Sequence, residues 1–232
     1  QGQLLKVYLD DTEFISSPFV HNIWRAPTDN DRGGSYQKSF YSHWKKAGYD
    51  DLKRSVESVN YNKVDDNSVE VSVSENYSNN KSKIQVLINY IVSKDGFLRI
   101  NVETDINPIL PVIPKIGLTT QIPSTFSEVN WYGRGPQESY SDRKLGAFLG
   151  IYNKDVDNLY FPYIKPQENG NRSDTRWMLI SDLNNKGILI EAEEPFNFSA
   201  HRYSLDNLSK SKHTVDLKKS NYINLNIDHK MM

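Results

Sequence analysis

The strongest constraint on this chain is a two-residue hydrophobic period. Val69, Val71 and Val73 alternate with Glu70, Ser72 and Ser74; Leu98, Ile100, Val102, Thr104 and Ile106 alternate with Arg99, Asn101, Glu103 and Asp105. Successive side chains of an extended chain point to opposite faces, so this alternation predicts half-buried antiparallel strands. Between them, Ile84, Val86, Ile88, Tyr90 and Val92 line one face of a run whose other face Leu87 and Ile91 make partly apolar. Asn79-Asn80 and Lys94-Asp95-Gly96 have the composition of hairpin turns. Further strands are expected at 115–122, 126–132, 145–152, 176–182, 187–192, 196–202 and 222–228. In the last, Ile223, Leu225 and Ile227 alternate with Asn224, Asn226 and Asp228. Helices and strands do not alternate, which excludes a parallel α/β fold.

The N-terminal third is less regular. Residues 4–9 and 14–24 read as strands joined by a turn at Asp10-Asp11. Residues 25–34 form a polar loop with Pro27 early and Gly33-Gly34 late, so part of it should move. Ser35 offers an N-cap hydroxyl, Tyr36, Phe40, Trp44 and Ala47 recur at helical spacing, and Gly48 can supply the left-handed stop. One helix is therefore predicted over 36–47, with Lys45 and Lys46 complementing its dipole. The Pro-rich stretch 108–114 carries Ile109, Leu110, Val112 and Ile113, which marks a packed connection and not a linker. The expectation is an all-β chain of about a dozen strands or more, with one short helix and a single domain over 1–232.

Composition narrows the function. Of 232 residues, 28 are basic and 29 acidic, and the two signs are interspersed, so no basic footprint invites nucleic acid. Zero cysteines exclude disulfides and thiolate metal sites. That composition fits cytoplasm or periplasm alike. No run is apolar for long enough to cross a bilayer as a helix.

Chemistry-bearing residues gather in two Gly- and Pro-punctuated stretches, 131–143 (WYGRGPQESYSDR) and 160–176 (YFPYIKPQENGNRSDTR), both read as ordered loops. Glycosidases need an acid and a partner carboxylate; Asp29, Asp31, Glu138, Asp142, Glu168 and Asp174 are the candidates, and no spacing fixes a pair. Arg25, Arg134, Arg143, Arg172 and Arg176 are equally placed to neutralise them as loop-tying ion pairs. Trp24, Trp131, Tyr132 and Trp177 could stack on a sugar face or pack in the core. The five histidines form no H-x-x-x-H or H-x-H pair, so a His-based metal site is not expected. No Gly-x-Ser-x-Gly elbow, P-loop or dinucleotide fingerprint occurs.

Several motifs in order carry a resemblance. Residues 24–31 (WRAPTDND), 44–48 (WKKAG), 130–143 (NWYGRGPQESYSDR), Pro162-Tyr163, 166–170 (PQENG) and Thr175-Arg176 look like the C-terminal small-chain region of the large bacterial β-galactosidases of glycoside hydrolase family 2. The resemblance spans nearly the whole chain. It implies a large antiparallel β-supersandwich, similar to galactose mutarotase. It implies a retaining parent enzyme whose two catalytic glutamates sit on a separate barrel, so that no residue here is catalytic. It implies, as partners, the rest of that parent chain, a galactoside substrate and a homo-oligomeric assembly. No nucleic-acid or membrane partner is expected. The parent would use Mg²⁺ and an alkali cation, with no cofactor or metal held by this stretch. Pro27 to Gly33 resembles the family's mobile loop at the active-site mouth, which makes Asp29, Asn30, Asp31 and Gly33 the gating or substrate-binding residues. Arg134, Glu138, Glu168 and Arg176 are the expected loop-ordering residues. Lys165 stands where better-known members have an aromatic residue beside an alkali-ion site. The chain is expected to stop short of a Gly-Gly-Asp-rich stretch whose Trp stacks on sugar. Two other classes stay open: a stand-alone carbohydrate-binding module, and a mutarotase-like epimerase using His201 and Glu168.

Overall fold

In this computed structural model, residues 2–35 and 37–232 are described. Their element order is β1 (Val7–Leu9), β2 (Thr12–Ile15), β3 (Val20–Asn22), α1 (Asp29–Arg32), α2 (Phe40–Ala47), β4 (Lys53–Lys63), β5 (Ser68–Ser78), β6 (Lys83–Ser93), β7 (Leu98–Ile106), β8 (Lys115–Pro123), β9 (Glu128–Gly135), β10 (Phe148–Asp155), β11 (Arg172–Ser181), β12 (Gly187–His201), α3 (Leu205–Lys210) and β13 (Tyr222–Met231). Every pairing between these strands is antiparallel. The all-β class holds.

Details differ from expectation for local reasons. The helix starts at Phe40, because Ser39 and not Ser35 is the cap: its hydroxyl accepts from the Ser42 N–H at 3.2 Å. Tyr36 lies outside the described residues. Gly48 ends the helix at φ 73°, the left-handed stop expected. Two further short helices, α1 and α3, were not foreseen. The 14–24 run is interrupted around Pro18, which has no N–H to give a ladder. The expected strands 187–192 and 196–202 are one strand, β12, through Pro195. The stretches 131–143 and 160–176 are not loops throughout: β9 takes residues up to Gly135 and β11 begins at Arg172.

The chain, read from its sequence as one domain, divides into two compact units: Gln1–Leu4 with Gly34–Val112, and Leu5–Gly33 with Ile113–Met232. The first holds a four-stranded meander, β4-β5-β6-β7. Val73, Ile84, Val86, Ile88 and Tyr90 fill one face and are buried, as their period demands. Each such aliphatic side chain contributes about 1.5–3 kcal/mol. Trp44 of α2 is fully buried and its indole N–H donates to Val112 O at 2.8 Å, while Tyr49 Oη donates to Pro111 O at 2.6 Å. Those bonds pack the Pro-rich stretch where an ordinary linker would be free, although the unit boundary falls within it.

The second unit holds a seven-stranded sheet ordered β10-β9-β11-β12-β13-β8-β3 and a separate β1-β2 hairpin. The hairpin turns at Asp10, at φ 51°. Ile122, Trp131, Met178, Ile180, Phe198, Ile223 and Leu225 are buried in this unit. Trp131 meets Phe198 edge-on at 5.9 Å and Tyr152 at 5.3 Å, so it packs in the core and cannot stack on a sugar. β13 departs from simple alternation. Ile223 and Leu225 are buried, but so are Asn224 and Asp228 of the opposite face. Gly117 of β8 permits this: a Cβ there would lie 2.2 Å from Asp228 Oδ1.

Candidate functional site

The functional side chains of the second unit fall into a locked turn, a clamped loop pair and a polar pocket. The turn begins at Thr28, whose hydroxyl accepts from Asp31 N–H at 3.2 Å, while Asp31 Oδ2 accepts from Thr28 N–H at 2.8 Å. This capping box makes one helical turn of Asp29–Arg32, where a loop was expected. Asp31 is 1% exposed and holds Arg25 through two bonds, at 2.6 and 3.1 Å. Arg25 Nη1 also donates to Met232 O at 2.7 Å. Asp29 N–H donates to Gln167 Oε1 at 2.9 Å, and Gln167 Nε2 donates back to Asp29 Oδ2 at 3.1 Å. Of the expected gating residues, Asp31 is committed to Arg25, whereas Asn30 and Gly33 are exposed, and Asn30 reaches Asp142 at 3.5 Å.

The clamp centres on Glu138. Its carboxylate accepts from the Gly170 N–H at 2.8 Å, from Tyr140 Oη at 3.3 Å, and from Arg143 and Tyr163. Burial works against the charge on Arg143, but its bonds to Tyr163 and Glu138 outweigh that and raise its affinity for the proton. Burial, together with Glu138, raises the Tyr163 hydroxyl. Gly170 sits at φ 73°, and a Cβ there would meet Leu159 O at 2.8 Å, so this turn requires glycine. A second clamp joins Arg134 and Lys144 to Asp174, the latter at 2.7 Å. Burial opposes ionisation of Asp174, but these two cations outweigh it and lower its pKa. Arg176 donates to Asp174 O and lies over the Tyr132 ring at 5.5 Å. Arg172 instead lies 5.4 Å over Trp131, and burial brings its pKa down to about 10.

Glu168 belongs to neither clamp. Its N–H donates to Ala26 O at 3.0 Å, which turns the side chain toward Lys115, with Nζ 3.7 Å from Oε1. Lys115 donates to Asp228 Oδ2 at 3.2 Å, and all three groups are buried. Burial disfavours the ammonium, but the two carboxylates outweigh it and raise Lys115; burial pushes Asp228 up to about 6 despite Lys115. Lys115, Glu168 and His201 line one pocket with Thr119, Asn224 and Asn226. His201 and Glu168, the pair an epimerase would need, are thus brought together. Lys115 and Asp228 were not singled out from the sequence. The available signal was an Asn-Asn-Asp face on a strand otherwise good enough for the core. No group of three or more His, Asp or Glu side chains suited to a metal ion occurs among the described residues, and none of their helices is long and apolar enough to cross a membrane.

These features define a class: an antiparallel β-sheet chain whose buried charge is concentrated on one large sheet and the loops between its strands. The family follows from comparison with known proteins. The family described as "Beta galactosidase small chain" matches residues 1–232, and the chain belongs to it. The chain is 37% identical over 242 residues to a β-galactosidase of Pseudoalteromonas haloplanktis, 35% over 236 to one of Vibrio cholerae, and 31% over 232 to one of Priestia megaterium. These alignments cover 100%, 98% and 100% of the chain, which spans 22% of the length of each relative. It corresponds to a small-chain region of a larger enzyme.

Proposed function

We propose that this chain serves a β-galactosidase as one wall of the galactoside pocket, with the turn at 28–33 at the pocket mouth and the hydrolytic glutamates on another part of the polypeptide. The observation that carries this reading is the double tether of the turn. Arg25 fixes it through Asp31, and Gln167 fixes it through Asp29, while Asn30 and Gly33 stay exposed. A turn anchored on its inner side and free on its outer side can adjust at a substrate entrance without unfolding. Glu138 and Glu168 are poor candidates for a nucleophile and acid pair, since Glu138 is spent on four donors and Glu168 faces an ammonium group. A retaining mechanism needs two such carboxyls about 5 Å apart with roles free to change.

The resemblance also implies Mg²⁺ and an alkali cation in the parent. Among the described residues no three His, Asp or Glu side chains are gathered as an Mg²⁺ site would require. Lys165 O already accepts from Gln167 Nε2 at 3.3 Å. The test uses the full-length protein that carries this chain. Asn30→Ala and Gly33→Ala should raise KM for a chromogenic galactoside severalfold with little change in kcat. Efficient cleavage by the 232-residue chain alone, abolished by Glu138→Gln, would overturn the reading. For the epimerase alternative, the shared pocket of His201 and Glu168 is the supporting observation, and optical rotation of α-galactose is its test.

A further inference from the structure

The pocket beside Lys115 is lined by a buried carboxylate, Glu168, whose hydrogen-bonding capacity the fold leaves partly unfilled. Its volume is about 330 Å³, and it is lined by β8, β13, the end of β12, Ser17, Pro18, Val20 and α3. Glu168 is 3% exposed on its wall, and its buried Oε1 makes no hydrogen bond among the described residues. The nearest cation, Lys115, is beyond hydrogen-bond reach at 3.7 Å and is already donating to Asp228. Glu138, in the same unit, shows how this fold treats a carboxylate whose role is purely structural, by supplying it with four donors. A buried carboxylate oxygen without a donor costs free energy and calls for an explanation.

The surrounding groups restrict what could supply the donor. One ammonium faces two carboxylates, Glu168 and Asp228, so an anion would enter against net negative charge. A bare metal ion would face the Lys115 ammonium. His201 is 3% exposed; its Nδ1 accepts from the Tyr203 N–H at 3.4 Å, which places the ring proton on Nε2. Burial lowers its pKa, so at neutral pH it is an uncharged donor. Tyr203 packs on Tyr160 at 4.8 Å and presents a fixed aromatic wall. Gln121 and Asn224 hold each other at 3.1 Å, and Asn226 is held by Ser199 at 3.0 Å, so the amide lining is pre-set. Neutral donors and acceptors beside an aromatic face suit hydroxyl groups on a compact carbon ring. Small-molecule pockets run from roughly 300 Å³ upward, so this one takes a single ring and not an oligosaccharide.

We infer that this pocket is a binding site for a neutral, monosaccharide-sized polyol, with one hydroxyl donating to Glu168 and another accepting from His201. Such a site does not depend on the β-galactosidase reading, and either can fail without the other. The test is peptide-resolved hydrogen–deuterium exchange on the full-length protein carrying this chain, with D-galactose, D-glucose and inorganic phosphate as probes. One of the sugars should slow exchange saturably in 115–123, 199–208 and 222–228. Glu168→Gln and Tyr203→Leu should each weaken that protection at least about tenfold. Each variant must match the parent protein elsewhere in the sheet without sugar; if Glu168→Gln does not, Tyr203→Leu carries the test. Protection by phosphate alone, protection confined to other segments, or sugar protection unchanged in the variants would overturn the inference.

Discussion

The four-stranded sheet and the seven-stranded sheet are written in the same alphabet of Val, Ile, Tyr and Asn, yet they spend it differently. In β4–β7 the centre of the apolar face is buried, and Glu75, held by Arg54 and Tyr77, is the buried charged side chain of that unit among the described residues. In the other unit Arg25, Asp31, Lys115, Glu138, Glu168, Arg172 and Asp228 are all buried. A meander of local hairpins needs nothing more than its period. A sheet crossed by long loops must bury polar backbone and side chains, and each of those must find a partner. The contrast teaches that the polar interior is concentrated in the unit with the candidate site, where its cost is offset by positional definition of loops.

The largest test of that difference removes one charge. Asp228→Ala leaves Lys115 facing Glu168 alone and should cost about 3–5 kcal/mol, whereas Ile88→Val in the meander should cost about 0.5–1.5 kcal/mol. Urea unfolding followed by a probe in each unit measures both, and equal losses would break the comparison.

Acid should act next most strongly, and on one unit. Burial brings His21 down to about 4 and lowers His201. A base whose folded pKa is depressed contributes stability above its unfolded pKa of about 6.5 and loses it as pH falls. Asp228, raised to about 6, works in the opposite sense and gains stability as pH falls through that value. Two histidines against one aspartate leave a net loss for this unit between about pH 6.5 and 4. His21→Asn should flatten the slope; a slope indifferent to that change would remove the buried histidines from the account.

Cutting the clamp comes third. Glu138→Gln weakens bonds to Arg143, Tyr163 and Gly170 together, for a loss of about 1.5–3 kcal/mol. Protease nicking between 137 and 147 or between 160 and 171 should rise, with the meander unaffected. The smallest contrast uses two glycines with φ of 73° and 89°. Gly170→Ala meets Leu159 O and should cost about 2–3 kcal/mol, while Gly96→Ala enters open space and should cost about 1 kcal/mol. Similar thermal shifts for both would mean that the Gly170 turn relaxes freely.

Legibility followed the same divide. Strands β5, β6 and β7, both hairpin turns and the Gly48 stop could be read from the chain because period and turn chemistry are local. The loop carboxylates could be named, but not paired. Five arginines were available, and the structure gives Asp31 to Arg25, Glu138 to Arg143 and Asp174 to Arg134. For Trp131 the sequence favoured core packing over a sugar face without deciding it, until β9 was seen between β10 and β11. The register of β13 shifts between Asp228 and Lys230, so Lys115 and Asp228 meet by a geometry that alternation cannot forecast.

The sequence by itself determined that this chain is antiparallel β-sheet, which loops carry its chemistry and which family it resembles, because alternation, turn residues and motif order act over short stretches. Only the tertiary structure decided that the Asn224, Asn226 and Asp228 face turns inward and that Glu168 Oε1 is buried against Lys115 without a hydrogen bond. Both depend on which strands become neighbours across more than a hundred residues, and no local preference encodes that choice.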